Sequence, residues 1–346
     1  MSGSSRILRS AIIGCGKPWK AEGSTGSGIS HSHARGYIAC PNTELVALAD
    51  IVRENAEAFA EEHGPAEIFT DYKEMLEKVK PDLVSICTWP HLHESMVLAC
   101  AEAKVPAVHC EKPMAPTWAA AKRMVEACAA SGTQLTFNHQ RRFDKAYTIA
   151  KSLIESGRIG ELQVLELPTH NLFDWGTHWF DMAFFLNAES PAVSVLGQVE
   201  PSGGHKVFGV QLEGQGVSLI KFENGVRAIM PTEGDHGWKV QIRVVGSKGF
   251  IEIGATSWDS LRVWSDGTNG WEEISTKLED GELDAFALAF ADIAASLETG
   301  QEPQLSARRA LRATELIFAT YHSGRTGGRV DLPFTAEDEA IYATAD

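Results

Sequence analysis

No stretch of this 346-residue chain approaches the roughly 20 consecutive apolar residues that a membrane-crossing helix needs. Basic charge is also scarce. The 31 Lys and Arg stand against 46 Asp and Glu, a formal net charge of −15 at pH 7. No Lys/Arg cluster offsets that excess, so neither nucleic acid nor an anionic membrane is expected as a partner. The six cysteines all lie in the first half, and none forms a Cys-x-x-Cys pair. Most sit in apolar strand or helix contexts, which points to reduced, buried thiols and not to a disulfide framework. Met1-Ser2-Gly3-Ser4-Ser5-Arg6 leads straight into a strand without a signal-like apolar segment. A cytoplasmic protein with a small and rather neutral substrate is therefore expected. At 44% hydrophobic and 22% charged residues, the composition is that of an ordinary globular chain, long enough for two domains.

The first 140 residues alternate strand and helix. Apolar strands are read over residues 9–13, 44–49, 82–88, 106–110 and 133–137, separated by helices over 53–62, 72–79, 93–103 and 118–130. Strands spaced by helices of this length imply βαβ units and a parallel, doubly wound sheet. After residue 140 the pattern changes. Helices are read over 144–155 and 174–186, then strand patterns dominate. Asn224-Gly225 joins one hairpin and Gly246-Ser247-Lys248-Gly249 a second, with a third over residues 261–274. Two more helices follow, over 284–298 and 306–323, and the acidic tail after Pro333 reads as peripheral. The expectation is a Rossmann-type α/β domain over 1–140 and an α+β domain over 141–346, built on a large, mostly antiparallel sheet.

Gly14-Cys15-Gly16 follows the first strand, but the third glycine of a dinucleotide fingerprint is missing at its usual place. Pro18 cannot lie inside a helix, so the helix behind the glycine turn is delayed, with Ser30 as its expected cap and residues 17–27 as an insertion. Gly14 to Asp50 is 36 positions; removing those eleven leaves 25, near the roughly 20 expected between the glycine turn and a ribose-binding acid. An acid at Asp50 can accept from the adenosine ribose hydroxyls and repels a 2′-phosphate, which favours NAD over NADP. Arg53 nearby works against that preference. Asp50 can equally cap the following helix.

Val108-His109-Cys110-Glu111-Lys112-Pro113 runs an apolar strand into a carboxylate, an amine and a proline. In a parallel α/β sheet, ligands bind outside the carboxyl ends of the strands. Taken alone, Lys112 reads more readily as one more surface lysine at a loop start. Asp174 and His178 stand four apart on an expected helix, a spacing that puts both on one face. That spacing also suits a solvated surface pair.

The chain resembles the glucose–fructose oxidoreductase / inositol dehydrogenase (Gfo/Idh/MocA) family of NAD(P)-dependent sugar oxidoreductases over roughly residues 9–333. The most specific element is Cys110-Glu111-Lys112-Pro113-Met114-Ala115 with Thr117. It is supported by Thr88-Trp89-Pro90-His91-Leu92-His93, by Asn138-His139-Gln140-Arg141-Arg142-Phe143, and by Asp174-Trp175-Gly176-Thr177-His178-Trp179-Phe180-Asp181. Two features depart from the family pattern: the insertion in the glycine loop, and Trp89 where proline is usual. The resemblance implies catalytic roles for Lys112, Asp174 and His178. In this reading His178 is the general base, Lys112 stabilises alkoxide character, and Asp174 orients the imidazole or binds a substrate hydroxyl. It implies a cofactor site at Gly14, Gly16, Ser30, Asp50, Thr88, Trp89, His93 and Glu111, and substrate contacts from Arg141 and Trp175 beside the catalytic three. It also implies a homodimer or homotetramer. One of Arg141 and Arg142 is expected at the substrate and the other in a surface ion pair. His31/His33 and His91/His93 are i,i+2 pairs, which do not face one another on a helix, so no metal site is expected. The function implied is hydride transfer between NAD and a secondary alcohol of a sugar or polyol. A sugar eliminase or glycosidase with tightly held NAD, and a non-catalytic dinucleotide and sugar sensor, remain as alternatives.

Overall fold

The computed structural model describes residues 6–17, 22, 28–64, 66–202, 204, 206–232, 240–336 and 340–341. Contacts divide the chain into two units: residues 1–115, 120–140 and 283–311 in the first, and 116–119, 141–282 and 312–346 in the second.

In the first unit the order is β1 (Leu8–Ile13), α1 (Ile29–Ala39), β2 (Thr43–Ala49), α2 (Arg53–His63), β3 (Glu67–Phe69), α3 (Tyr72–Val79), β4 (Leu83–Ile86), α4 (Pro90–Glu102), β5 (Ala107–Cys110), α5 (Trp118–Ser131) and β6 (Gln134–Phe137). The strands form a six-stranded parallel sheet in the order β3-β2-β1-β4-β5-β6. Every residue of β4 and β5 is buried, the reason these segments read as continuous apolar runs. The strand order reverses between β1 and β4, and that switch point opens a crevice at the carboxyl ends. β3 has no counterpart in the sequence reading, because three residues at a sheet edge are too few to show a period.

The second unit contains a 3₁₀ turn (Gln140–Phe143), α6 (Lys145–Glu155), β7 (Leu162–Glu166), α7 (Gly176–Leu186), β8 (Ala192–Glu200), β9 (Lys206–Val207), β10 (Val210–Gln211), β11 (Gln215–Phe222), β12 (Arg227–Pro231), β13 (Ile242–Gly246), β14 (Gly249–Ile253), β15 (Leu261–Ser265) and β16 (Glu272–Ile274). After these come α8 (Ala285–Thr299), α9 (Ala307–Thr326) and β17 (Val330–Asp331). Nine strands make one sheet in the order β16-β15-β14-β13-β7-β12-β11-β8-β17. It is antiparallel apart from the β7–β12 pair. The three expected hairpins are all present. The tail is not peripheral throughout: Phe334 and Ile341 are buried, with Phe334 against Trp118 and His322.

Residues 141–346, read as one domain, thus contribute α8 and the start of α9 to the first unit. The cause is packing. Phe290 of α8 lies on Tyr37 of α1 with ring centroids 4.1 Å apart, and a Cβ on Gly36 would stand 2.4 Å from Phe290. Phe290 and Ile293 join Ile12, Leu48, Tyr37 and Phe59 in one buried cluster.

Candidate active site

The glycine turn is built on two different glycine requirements. Gly14 has φ +86°, and a Cβ there would lie 2.8 Å from Thr88 Cγ2 and 2.9 Å from the Cys87 carbonyl oxygen. Gly16 has φ +60° and open space where a Cβ would project. Backbone therefore faces an unobstructed volume at Gly16, the arrangement a pyrophosphate needs for close approach. Beside it, a cavity of about 540 Å³ is lined by Gly14, Gly16, Asp50, Tyr72, Thr88 and Trp89 among others. That lies within the 300–1,000 Å³ typical of ligand sites. Three of the expected cofactor residues, Asp50, Thr88 and Trp89, thus share one cavity with the two glycines.

Asp50 is buried and already engaged. Its Oδ2 accepts from the Cys15 and Gly16 amides at 2.9 and 3.0 Å, and its Oδ1 accepts from Val52 N–H at 2.8 Å. A carboxylate offers about four acceptor positions, so one on Oδ1 remains for a ribose hydroxyl. The N-cap of α2 is Val52, not Asp50. Ser30 is likewise not the cap of α1. The helix begins at Ile29 behind Gly28, whose φ of 66° is left-handed, and the Ser30 hydroxyl donates to the Cys15 carbonyl. This bond ties the first turn of α1 to the glycine turn. The first amides of a helix have no intrahelical partners, and the positive end of its dipole favours an anion. The insertion lies largely outside the described residues; of residues 17–27 only Lys17 and Glu22 are described, and the Lys17 ammonium donates to the Glu22 carbonyl.

Glu111 and His93 do not line this cavity. Glu111 is buried at the end of β5. Its Oε1 accepts from Asn138 Nδ2 at 2.6 Å and pairs with His33 Nε2 at 2.9 Å, while Oε2 accepts from the Lys112 amide at 3.1 Å. Burial pushes the Glu111 carboxyl up, but the His33 contact, the Lys112 charge and the Asn138 bond outweigh it and hold it at about 2. The network continues from His33 Nδ1 to Ser85 Oγ at 2.9 Å and from Ser85 to Tyr37 OH at 2.6 Å. Lys112 is half-buried at the end of this chain of bonds. α4 begins at Pro90, earlier than its sequence pattern suggests, so His93 falls in its first turn and is fully buried. Its Nε2 is 3.0 Å from the Thr88 carbonyl, and Nδ1 is 3.0 Å from that of Pro113. His93 therefore braces the loop after β4 against the loop that carries Lys112. Burial lowers its pKa against the pull of those carbonyls.

In the second unit, Asp174 lies in a turn ahead of α7 and not on the helix, which starts at Gly176. The delay has a local cause. Asn171 Oδ1 accepts from the amides of Phe173, Asp174 and Trp175 at 3.2, 2.6 and 3.1 Å, and the Asn171 carbonyl accepts from Gly176 N–H at 2.8 Å. A Cβ at Gly176 would sit 2.8 Å from that carbonyl. Leu172 N–H is held by buried Glu213, which Tyr321 OH also contacts. Asp174 and His178 are both buried, on a turn and helix start fixed from two sides. Arg141 is buried in an aromatic cage. Its guanidinium carbon is 4.6 Å from the Trp179 ring, 5.0 Å from Trp258, 5.8 Å from Tyr147 and 5.9 Å from Trp175, and Nη1 donates to Tyr147 OH at 3.1 Å. Trp175 thus packs on Arg141, and it meets Trp258 edge-on with centroids 5.8 Å apart. Arg142 is not a surface residue. It binds Asp181 through Nε and Nη2, both at 2.8 Å, and Glu189 through Nη1 at 2.5 Å. Asn171 and Glu213 are absent from the sequence reading, and His33 enters it only in a histidine pair set aside as a metal site. Their roles depend on partners that no local motif announces.

A six-stranded parallel sheet with a glycine-lined crevice at its switch point, joined in one chain to an open nine-stranded sheet, defines an NAD-binding oxidoreductase of two units. The chain belongs to the Gfo/Idh/MocA family. Residues 8–139 match its "oxidoreductase family, NAD-binding Rossmann fold" domain and residues 166–332 its "oxidoreductase family, C-terminal alpha/beta domain". It is 26% identical to a myo-inositol 2-dehydrogenase of Thermotoga maritima over 70% of this chain and 74% of that protein. It is also 26% identical to a D-apiose dehydrogenase of Paraburkholderia graminis over 98% and 93%. The fold matches that of an aldose-aldose oxidoreductase from Caulobacter crescentus with a TM-score of 0.80 at 21% identity, over 94% of this chain and all of that one (100%). Among the described residues, no helix is long and apolar enough to cross a membrane.

Proposed function

We propose that the protein oxidises a secondary alcohol of a cyclic polyol, sugar or sugar derivative with NAD. The observation that carries this reading is the cavity at the switch point, with open backbone at Gly16, and with Lys112 one residue beyond the buried Glu111 at the end of β5. Bound NAD supplies the hydride acceptor. Gly14, Gly16 and the first turn of α1 would hold its phosphates and the remaining Oδ1 position of Asp50 its adenosine ribose, with Thr88 and Trp89 lining the same cavity. NAD is preferred over NADP, because a 2′-phosphate would meet the Asp50 carboxylate. Arg53 does not offset this, being paired with Glu57 at 2.8 Å.

In the alcohol's oxidation a hydroxyl proton leaves as hydride leaves carbon. His178 takes that proton, Asp174 orients the imidazole or a neighbouring substrate hydroxyl, and the Lys112 ammonium stabilises the developing alkoxide. Arg141 and Trp175 contribute substrate contacts; aromatic faces such as Trp175 suit the C–H faces of sugars. The inositol and apiose dehydrogenases among its relatives support this substrate class. A homodimer or homotetramer is proposed through the open face of the nine-stranded sheet. There Leu219 is 41% exposed, between Leu196 at 46% and Ile229 at 38% on its neighbouring strands. A cytoplasmic setting is proposed from the free thiols.

The test is NADH absorbance across a panel of polyols, aldoses and anhydrosugars. Accumulation of NADH with a subset of them is the expected result. Glycoside cleavage or elimination by NAD-loaded protein without net NADH would replace this reading with transient oxidation. Bound NAD with no turnover on the whole panel would leave a sensor.

A further inference from the structure

α1 and α2 bring together three side chains that neither the cofactor cavity nor the catalytic candidates use. His31 is in the first turn of α1, and Glu62 and His63 close α2. His31 Nδ1 lies 2.7 Å from His63 Nε2. Glu62 spans the pair, with Oε2 3.3 Å from His31 Nδ1 and Oε1 3.4 Å from His63 Nε2. Both rings rest on Phe59, with centroids 4.6 and 4.5 Å away. The imidazole side chains are 7% and 4% exposed and the carboxylate 49%, so the cluster is closed by protein below and open along Glu62.

We propose that His31, Glu62 and His63 bind one divalent cation of the zinc class. The i,i+2 histidine pairs gave no reason to expect a metal, and neither pair is used; the second imidazole comes from another helix. Zinc bound by imidazole nitrogen and carboxylate oxygen at about 2.0–2.2 Å in a tetrahedron sets its ligand atoms roughly 3.3 Å apart. Each nitrogen already stands about that far from a carboxylate oxygen, His31 from Oε2 and His63 from Oε1, so a small turn of the exposed Glu62 carboxylate brings one oxygen to both. The nitrogen–nitrogen separation must open by about half an ångström, a small swing of two rings. Two imidazoles and one carboxylate with a free fourth position form a zinc ligand set, and imidazole nitrogen disfavours magnesium or calcium. Arg35, the nearby cation that opposes a metal, is exposed and hydrogen-bonded to Ser32. A bound cation would clip the end of α2 to the first turn of α1, the turn that Ser30 ties to Cys15.

The test uses the untagged full-length chain, stripped with a chelator and titrated with zinc chloride against a chromophoric competitor. One equivalent per chain is expected to bind and to raise the melting temperature, and cobalt is expected to give the visible bands of a tetrahedral site. His63→Ala should abolish the tight equivalent. Glu62→Gln, on the open rim and therefore harmless to folding, should weaken it by at least the roughly 10–100-fold that loss of an outer-shell partner costs. Both variants should keep the far-UV circular dichroism and NAD affinity of the parent. The proposal is overturned if the parent binds no stoichiometric zinc, in which case the pair is a plain imidazole–imidazole hydrogen bond. It is equally overturned if Glu62→Gln binds zinc as tightly as the parent.

Discussion

At the scale of single residues, the two glycines of the β1 turn separate structure from binding. Gly14→Ala drives a methyl into Thr88 and the Cys87 carbonyl at a left-handed φ. It should therefore lower both the melting temperature and NAD affinity. Gly16→Ala meets no atom within 4 Å, so its structural cost is only the left-handed strain of about 1–2 kcal/mol. Its methyl projects into the open volume, so NAD affinity should fall by an order of magnitude or more with little thermal loss. Equal effects of the two on NAD binding and melting would contradict this division. Glu111 carries a pH signature. Its carboxyl is held at about 2, below the ordinary 4.5. A carboxyl depressed in this way contributes stability that is fully present above about 4.5 and lost as pH falls toward 2. The stability gap between the parent and Glu111→Gln, measured by urea titration, should shrink across that window; a constant gap would contradict the network. Lys112, Asp174 and His178 are proposed from the motifs in which they sit. His33 was not legible as a partner of Glu111, because 78 positions separate the two.

At the scale of elements, most helices and hairpins follow from local pattern, and the misplaced ends have specific causes. α7 starts at Gly176 because the Asn171 side chain holds the three amides before it, a competition between side chain and helix that periodicity does not report. Arg142 read as a surface cation because sequence does not show that Asp181 and Glu189 converge on it. α8 was legible as a helix over 284–298, but its cap, Asp284 Oδ1 accepting from Ala287 N–H at 2.9 Å, and its allegiance to the first unit were not. That allegiance rests on Phe290 against Tyr37 and the glycine face of α1. Phe290→Ala should destabilise the protein by about 3–5 kcal/mol in denaturant titration. It should also loosen α1 and so weaken NAD binding. A loss under 1 kcal/mol would show that α8 is not part of this core.

At the scale of the whole molecule, the alternation of strand and helix before residue 140 and the hairpins after it were enough to specify two architectures in one chain. The order of the nine strands and the parallel β7–β12 pair were not readable, since both depend on long-range pairing. The open face of that sheet sets a prediction of its own. Leu219→Glu places a charge between Leu196 and Ile229 without touching a buried side chain. Light scattering should show the parent as a dimer or larger and the variant shifted to monomer; an unshifted variant would remove this face from the interface.

The most direct test of the account is the Lys112→Ala enzyme, assayed for NADH formation on the best substrate of the polyol and sugar panel, with NAD affinity measured in parallel. Loss of one electrostatic donor to the developing alkoxide should reduce kcat by roughly 10²–10³-fold while NAD binding stays within a few-fold of the parent. Parental turnover in that variant would contradict the central role given to Lys112.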